Sequence, residues 1–342
     1  MKIFLDAYLQ KNLGDDLFLY IALNRYKDHD FYTVTSNRTY RNMFKNLHVL
    51  DNKYLVKILR KFSLRSFVAS KCDLFLTLGG SMFIESPQSN RKRYSLGNKD
   101  HYILGINFGP YKTQQYYEKI KNHFVKAKDV CFREQHSYEL FSQLPQTRIA
   151  PDIAFSLPLE GIPMKNEKHV AFSVLHCKDK VGEQAYDRYL QIMANMVDMF
   201  ADRGYKVTVM SFCDHEGDPK AIDSVLSMVR NTEKVHTYYY DGDIKGALGV
   251  LASSSVVVGG RFHANVIGLL MNKIVIPFVY SDKTRNMLDD LGFQGVVADI
   301  RELERFDLKM LDDIALQYRL DVSGAVASAE RHFMKLDERL GK

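Results

Sequence analysis

The sequence has few cysteines and no long apolar run, and both features limit what the chain can be. Its four cysteines, Cys72, Cys131, Cys177 and Cys213, are far apart and form no C-x-x-C pair, which favours reduced thiols over a disulfide framework. No stretch approaches the roughly eighteen uninterrupted apolar residues of a membrane-spanning helix. Asp6 also brings a charge too early for a signal-peptide core. We therefore expect a cytoplasmic protein whose membrane contact is at most peripheral, at the inner face.

Positive charge is not concentrated in any one region. The chain has 47 Lys and Arg against 41 Asp and Glu, a formal net charge of +6. The basic residues are spread along the chain, whereas a nucleic-acid-binding protein usually clusters them on one face or helix. The composition therefore predicts no nucleic-acid partner and only a slight preference for anionic ligands.

Several common catalytic motifs are also missing. The sequence contains neither the phosphate-binding loop G-x-x-x-x-G-K-[ST] nor the nucleophile elbow G-x-S-x-G. Cys213 and His215 in one place, and His176 and Cys177 in another, follow predicted strands, but their spacing is not that of a zinc site. We expect no metal ion. Glu216 to Asp218 is interpreted as the cap of the next helix or as a contact to a substrate hydroxyl.

Strand and helix patterns alternate along both halves of the chain, and 342 residues exceed what one compact core usually holds. The sequence therefore predicts an α/β protein with two Rossmann-like doubly wound domains facing a cleft. We expect an N-terminal domain at 1–157 on the acceptor side and a linker at 158–168. A C-terminal domain at 169–322 would lie on the donor side, with a C-terminal helix at 323–342 packing back on the first domain.

The stretch around Gly259, Gly260, Arg261 and His263 carries the strongest chemical pattern. A β-branched strand leads into two glycines, and an apolar helix follows. Helix N-termini attract anions, and a guanidinium matches a phosphate or carboxylate, while an imidazole can move a proton near neutral pH. An anion-binding catalytic turn is one interpretation. A capped helix with a surface arginine and a structural histidine is the other.

In the first half, a strand is followed by Asn12-Leu13-Gly14-Asp15-Asp16. Carboxylates repel phosphate, so Asp15 and Asp16 suggest a base or a hydroxyl-binding role, unless one of them simply caps the helix. Arg133 and the turn Gly79-Gly80-Ser81 follow other strands, at the edge where open α/β sheets bind ligands. With Arg261, Arg133 would suit a ligand with two anionic ends, while Asp15 acts as base and His263 as acid.

Taken together, these motifs resemble the polysaccharide pyruvyl transferase family. The likeness rests on Asn12-x-Gly14-Asp15-Asp16, Gly79-Gly80-Ser81, Arg133-Glu134-x-x-Ser137, Pro151-Asp152, Gly259-Gly260-Arg261-Phe262-His263-Ala264 and Ile276-Pro277-x-x-Tyr280-Ser281-x-Lys283. They occur in the expected order from about Lys2 to Gly292. Two positions depart from the family pattern: Asp16 stands where Glu is frequent, and Ser81 where many members have Gly.

The resemblance implies a GT-B-like fold without metal, and transfer of a pyruvyl group from phosphoenolpyruvate to hydroxyls of a sugar, giving a ketal or an enolpyruvyl product. No cofactor beyond this donor substrate is implied. It also implies that Arg261 and His263 lie at the donor site, together with Arg133, Ser281 and Lys283. The glycine-rich turns would line it, and the partner is a sugar acceptor, free or lipid-linked, in polysaccharide or glycan-precursor biosynthesis.

Two other functions remain open from the residues. A GT-B glycosyltransferase using a nucleotide sugar would use the same fold and arginines. A catalytically inactive glycan-assembly protein would keep the fold alone. Two segments are candidates for contact with the acceptor sugar: the loop Met82 to Asp100 and the basic segment before Lys71.

Overall fold

The structure is a computed structural model that describes residues 1–50, 64–86, 99–312 and 315–342. The chain divides into two compact units. Unit 1 comprises Met1–Leu9, Leu17–Leu157 and Ala327–Lys342, and unit 2 comprises Gln10–Asp16 and Pro158–Val326. The segment Gln10–Asp16 differs from the expected domain limits, because the sequence placed all of 1–157 in the first domain.

Unit 1 is built on a parallel sheet with the strand order β3-β2-β1-β4-β5-β6-β7. The strands are β1 (Lys2–Ala7), β2 (Asp30–Val34), β3 (Leu47–Leu50), β4 (Leu74–Leu78), β5 (His101–Ile106), β6 (Asp129–Phe132) and β7 (Thr147–Ile149). The chain moves outward from β1 in one direction and then returns to β4 on its other side. Such a reversal of strand order is typical of a doubly wound fold.

Unit 2 repeats this plan with the strand order β10-β9-β8-β11-β12-β13. The strands are β8 (His169–Ser173), β9 (Lys206–Met210), β10 (Val235–Tyr238), β11 (Val256–Gly259), β12 (Ile274–Val279) and β13 (Ala298–Asp299). Here the order reverses between β8 and β11. Gly259 at the end of β11 pairs in register with Ser173 of β8 and Pro277 of β12, so β8 and β11 end at one level of the sheet and β12 extends two residues further.

Helices follow most of the strands. They are α1 (Leu13–Arg25), α2 (Leu64–Ser70), α3 (Gln114–Val125), α4 (Gln135–Glu139), α5 (Lys178–Val181), α6 (Glu183–Asp202), α7 (Asp218–Leu226), α8 (Ile244–Ser253), α9 (Phe262–Leu270), α10 (Asp282–Asp290), α11 (Ser323–Ala329) and α12 (Met334–Leu340). Short 3-10 helices lie at Arg38–Arg41, Ile153–Ser156, Thr232–Lys234, Ile300–Arg305, Leu308–Met310, Ala315–Gln317 and Glu330–Phe333.

The apolar pattern of the sequence explains these elements. Every residue of β8, β11 and β12 is buried, as expected for parallel strands covered on both faces. Helix α6 buries a stripe that includes Tyr189, Met193 and Phe200 against this sheet. Helix α9 is buried nearly all round. The predicted α/β class with two Rossmann-like domains is therefore confirmed.

Some local predictions were wrong. The run from Arg148 to Phe155, predicted as one strand, forms β7 only up to Ile149. Pro151 has no N–H for a strand ladder, and Asp152 Oδ1 accepts a bond from Ala154 N at 2.8 Å that caps a 3-10 turn. Strand β3 was missed within the basic segment, and the C-terminal helix is divided by the 3-10 turn Glu330–Phe333. Residues 51–63 and 87–98, which carry much of the suggested acceptor contact, lie outside the described residues.

The C-terminal segment of unit 1 is attached by charged and buried polar groups. Arg25 donates to both carboxylate oxygens of Asp337, at 3.0 and 2.6 Å, and the Tyr26 hydroxyl donates to Oδ1 at 2.8 Å. His332 is fully buried, and its Nε2 bonds the Pro151 carbonyl at 2.7 Å. Burial lowers the pKa of His332 to about 3, so this imidazole is neutral in the folded protein near neutral pH.

Candidate functional site in unit 2

The turn after β11 brings the backbone unusually close to the end of β8. Gly260 N donates to Ser173 O at 2.9 Å, and a Cβ built on Gly260 would lie only 2.6 Å from that oxygen. A Cβ on Gly259 would overlap the side chain of Asn265, whose Nδ2 donates to Gly259 O at 3.0 Å. Both glycines are therefore required by packing inside unit 2. This turn places Arg261 at the N-cap position of α9.

Arg261 is buried in an ionic cluster with two carboxylates. Its Nε donates to Asp218 Oδ2 at 3.0 Å, its Nη2 to Asp218 Oδ1 and its Nη1 to Glu216 Oε2. Asp218 Oδ2 also accepts bonds from Phe212 N at 2.9 Å and Cys213 N at 3.0 Å. Burial opposes the charge of Arg261, but the carboxylates outweigh it and hold the pKa above its usual range. The guanidinium thus gives three of its five N–H donors to protein carboxylates.

These contacts refine the interpretation of Glu216 to Asp218 as the cap of the next helix. Gly217, inside this stretch, occupies the N-cap position of α7 without a side-chain capping bond, and both acidic side chains bond Arg261. The suggested contact to a substrate hydroxyl stays a prediction. Glu216 in addition accepts a bond from Asn12 Nδ2 at 3.3 Å through its other oxygen. It therefore connects Arg261 to the segment Gln10–Asp16.

The segment Gln10–Asp16 is held on unit 2 by several bonds. Leu13 N donates to Phe212 O at 3.0 Å, and the buried Asp16 accepts a bond from the Tyr240 hydroxyl at 2.7 Å. Asn12 Oδ1 accepts from Gly14 N at 3.0 Å, as a capping side chain does. The predicted alternative, that Asp15 or Asp16 caps α1, is therefore not what the structure has.

His263 and Asp15 lie in one neighbourhood of unit 2. A Cβ built on Gly14 would overlap the imidazole of His263, so the residue directly before Asp15 contacts that ring. Both His263 and Asp15 are half-buried. A candidate acid and a candidate base thus come from segments nearly 250 residues apart in the sequence.

The turn after β12 adds a cationic group to the same edge of the sheet. Tyr280 is buried, and two ammonium groups lie beside its ring: Lys283 Nζ is 5.6 Å and Lys180 Nζ 4.8 Å from the ring centre. Burial alone would raise the pKa of Tyr280, but the charges of Lys283, Lys180 and Arg261 outweigh it and lower the pKa. Ser281 occupies the N-cap position of α10, and its Oγ has no hydrogen-bond partner within the described residues.

Three of these groups follow the carboxyl ends of β8, β11 and β12. Lys180 belongs to α5 after β8, His263 to α9 after β11, and Lys283 to α10 after β12. The reversal of strand order between β8 and β11 opens a crevice where doubly wound sheets bind their ligands. The geometry therefore places a candidate site at this point of unit 2.

The remaining predicted site residues form a separate group in unit 1. Arg133 donates from Nη1 to the buried Asp152 at 2.9 Å and from Nη2 to Asn107 Oδ1 at 2.7 Å. A Cβ on Gly80 would lie 2.5 Å from Arg133 Nη1, so this glycine makes room for the guanidinium. Ser81 Oγ donates to the same Asn107 oxygen at 3.2 Å, and Gly79, with φ 130°, adopts a backbone conformation that favours glycine.

Metal binding finds no geometric support in the described ranges, where no three His, Cys, Asp or Glu side chains are grouped to bind an ion. Cys177 and Cys213 are buried, and His176 Nδ1 bonds the Tyr186 hydroxyl at 2.9 Å. These residues therefore serve the interior of unit 2.

Sequence reasoning missed Lys180 and Tyr240, and it did not recognise Glu216 and Asp218 as partners of Arg261. Lys180 becomes noticeable only when β8 is known to lie beside β11, because the strand order cannot be read from local patterns. An arginine beside two glycines could have prompted a search for acidic partners, since a buried guanidinium requires them.

A Rossmann-like two-domain α/β fold with a polar, cationic site at the switch point of its second unit is typical of enzymes that act on anionic or sugar substrates. The family profile of polysaccharide pyruvyl transferases matches residues 12–282. The chain belongs to the polysaccharide pyruvyl transferase family, which supports its assignment as a transferase.

Solved structures with the same fold cover the whole chain at low identity. HepE from Anabaena, crystallised with UDP and glucose, is 14% identical, with a TM-score of 0.59 over 100% of this chain and 99% of that one. The UDP-GlcNAc 2-epimerase of Methanocaldococcus jannaschii is 8% identical, with a TM-score of 0.63 over 99% and 100%. The Neisseria meningitidis UDP-GlcNAc 2-epimerase bound to UDP-GlcNAc is 9% identical, with a TM-score of 0.60 over 100% and 99%. At such identities the similarity shows the fold alone.

The helices were also compared with the requirements for crossing a membrane. Across the described ranges, none of them has the length and apolar character needed to span a bilayer.

Proposed function

We propose that the protein transfers a pyruvyl group from phosphoenolpyruvate to two hydroxyls of a sugar, forming a cyclic ketal in polysaccharide or glycan-precursor biosynthesis. Family membership supports the transferred group. The observation that carries the proposal is the contact of the His263 imidazole with Gly14, which brings a potential proton donor beside Asp15. The acceptor is a free or lipid-linked sugar.

The proposed reaction begins with protonation of the donor. His263 donates a proton to the methylene carbon of phosphoenolpyruvate, and the adjacent carbon becomes electrophilic. A sugar hydroxyl, deprotonated by Asp15, bonds to that carbon. The carbon–oxygen bond to phosphate then breaks and phosphate leaves. A neighbouring hydroxyl adds to the same carbon and loses its proton, which closes the ketal without any redox step.

The donor's anions require positive charge at the site. Lys283 and the N-termini of α9 and α10 provide it next to His263. Ser281 adds a hydroxyl there. Arg133, Gly79, Gly80 and Ser81, which the sequence assigned to substrate binding, make bonds inside unit 1, and we leave them out of the donor site.

Calorimetric titration with phosphoenolpyruvate, combined with phosphate release in the presence of a panel of sugar acceptors, tests this function. We expect wild type to bind the donor and release phosphate. His263→Gln should bind the donor within about threefold, because Lys283 and the helix N-termini remain to hold it, but should release no phosphate because the proton donor is gone. His215→Gln, at an exposed histidine, is the matched control.

The nucleotide-sugar transferase that would use the same fold gives the opposite result. The fold relatives crystallised with UDP or UDP-GlcNAc motivate this comparison. Binding of UDP-glucose without binding of phosphoenolpyruvate would overturn the proposed donor. A methyl rather than a vinyl proton signal in the purified product would identify the ketal.

A further inference from the structure

Lys180 differs from its neighbour Lys178 in its ionic contacts. Lys178, on the same helix, forms an ion pair with Glu183 at 2.5 Å. Within the described residues, by contrast, neither Lys180 nor Lys283 forms an ion pair. Lys180 is also exposed, so its ammonium is accessible to a ligand.

The two lysines reach the same place from different strands. Lys180 follows β8 and Lys283 follows β12, yet both ammonium groups lie within 6 Å of the centre of the Tyr280 ring. The two distances to the ring centre limit the separation of the ammonium groups to at most about 10 Å. A small ligand with an anionic group at each end can contact two cations across such a span.

Arg261 lies beside this pair but is chemically different. Its exposed fraction is only 6%, and Asp218 and Glu216 occupy its Nε, Nη1 and Nη2. Moving the guanidinium away from these carboxylates to reach a ligand would leave the buried Asp218 without its ion pair, which opposes such a movement. Glu216 links Arg261 onward to Asn12, two residues before Gly14.

We propose that Lys180 binds an anionic group of the donor together with Lys283, and that Arg261 is a positioning residue acting through Glu216 and Asp218. The assignment of the ligand as phosphoenolpyruvate rests on the proposed function. The inference that Lys180 and Lys283 bind the anionic ligand is independent of the proposed function.

The charge balance of the cluster supports this division of roles. Arg261 forms the ion pairs with Glu216 and Asp218, whereas Lys180 and Lys283 form none within the described residues, so their positive charge remains for an incoming anion. Burial would raise the pKa of Glu216, but Arg261, Lys180 and Lys283 outweigh it and lower the pKa to about 2. Both lysines therefore act electrostatically on the same point of the cluster.

Titration of the full-length protein with phosphoenolpyruvate and, separately, with UDP-glucose tests the role of Lys180. Lys180→Met should weaken donor binding about tenfold or more, the scale expected for one charge-assisted contact, and should reduce its salt dependence. Lys178→Met should bind like wild type, because that lysine is already paired with Glu183.

The outcomes separate the two proposals. Equal donor affinity in Lys180→Met and Lys178→Met would overturn the role of Lys180 while leaving the proposed function intact. If wild type binds only UDP-glucose and Lys180→Met loses it, the proposed donor falls and the lysine pair stands as a diphosphate site. If wild type binds neither ligand, both proposals fall.

Arg261→Lys tests the positioning role. Lysine cannot reproduce the three bonds to Glu216 and Asp218, so the backbone amides of residues 10–16 should exchange hydrogen faster. Donor affinity should stay within about threefold of wild type, because Lys180 and Lys283 remain. A loss of affinity as large as in Lys180→Met, without faster exchange, would make Arg261 a direct ligand instead.

Discussion

Replacing Asp218 by asparagine should destabilise unit 2 by about 3 kcal/mol. The carboxylate is fully buried, and its two oxygens accept bonds from Arg261, Phe212 N and Cys213 N. An asparagine oxygen can keep the bonds at one carboxylate position, but the amide NH2 then faces Arg261 Nη2, donor against donor. Breaking a buried ion pair from one side costs about 3–5 kcal/mol. We expect the lower end, because Glu216 still pairs with Arg261.

Urea-dependent hydrogen exchange, read by mass spectrometry on peptides from β11 and α9, measures this loss in unit 2 alone. Asp223→Asn, at an exposed position of the same helix, is the matched control and should change stability by less than about 0.5 kcal/mol. If Asp218→Asn is no less stable than Asp223→Asn, the buried ionic cluster does not hold unit 2 together as described.

Three further substitutions have defined outcomes. Gly14→Ala should displace the His263 imidazole, because the new Cβ would overlap it, and should lower phosphate release at least about tenfold, roughly 1.4 kcal/mol of barrier. Asp337→Asn should destabilise unit 1 by about 1–3 kcal/mol, measured by urea unfolding, since it weakens the bonds from Arg25 and Tyr26. His332 has a pKa of about 3 when folded against 6.5 for the ordinary side chain. The unfolded chain therefore binds the proton more readily, and stability falls as pH drops below 6.5, by up to about 2 kcal/mol at pH 5. His332→Asn should remove this slope.

Each of these substitutions has a comparison position. A Cβ at Gly249 meets no atom within 4 Å, so Gly249→Ala should leave phosphate release unchanged. Glu338 forms an exposed ion pair with Lys335, and Glu338→Gln should leave unit 1 nearly as stable as wild type. His236 is exposed, and His236→Asn should keep the wild-type pH slope. Equal behaviour of a substitution and its comparison would contradict the corresponding argument.

The strands of the core and the α/β class were predictable because buried parallel strands carry continuous apolar runs. Val256 to Val258 and Ile274 to Val279 illustrate this, since both are buried throughout. Helix α9 was equally clear from its apolar composition. At Pro151 and Asp152 the strand prediction failed for two reasons. Proline has no N–H to donate to a strand ladder, and the Asp152 side chain accepts the backbone bond from Ala154 N instead.

The candidate site was predictable only in part. Arg261 and His263 stand out locally, because glycines, a strand end and a helix start surround them. The partners of Arg261 lie more than forty residues earlier, in a loop whose acidic residues look like an ordinary helix start. Lys180 has no local motif at all, and only the neighbouring positions of β8 and β11 bring it to the site.

The composition of unit 2 has a consequence for exchanging parts between members of this family. The residues of unit 2 come from two stretches of the chain, Gln10–Asp16 and Pro158–Val326. Unit 1 includes the C-terminal stretch Ala327–Lys342 in addition to its N-terminal residues. A chimera joined at a single crossover near residue 158 would combine the Asn12 and Asp16 of one parent with the Glu216 and Tyr240 of the other. A chimera that keeps each unit from one parent therefore needs four junctions: after residues 9, 16 and 157, and near residue 326.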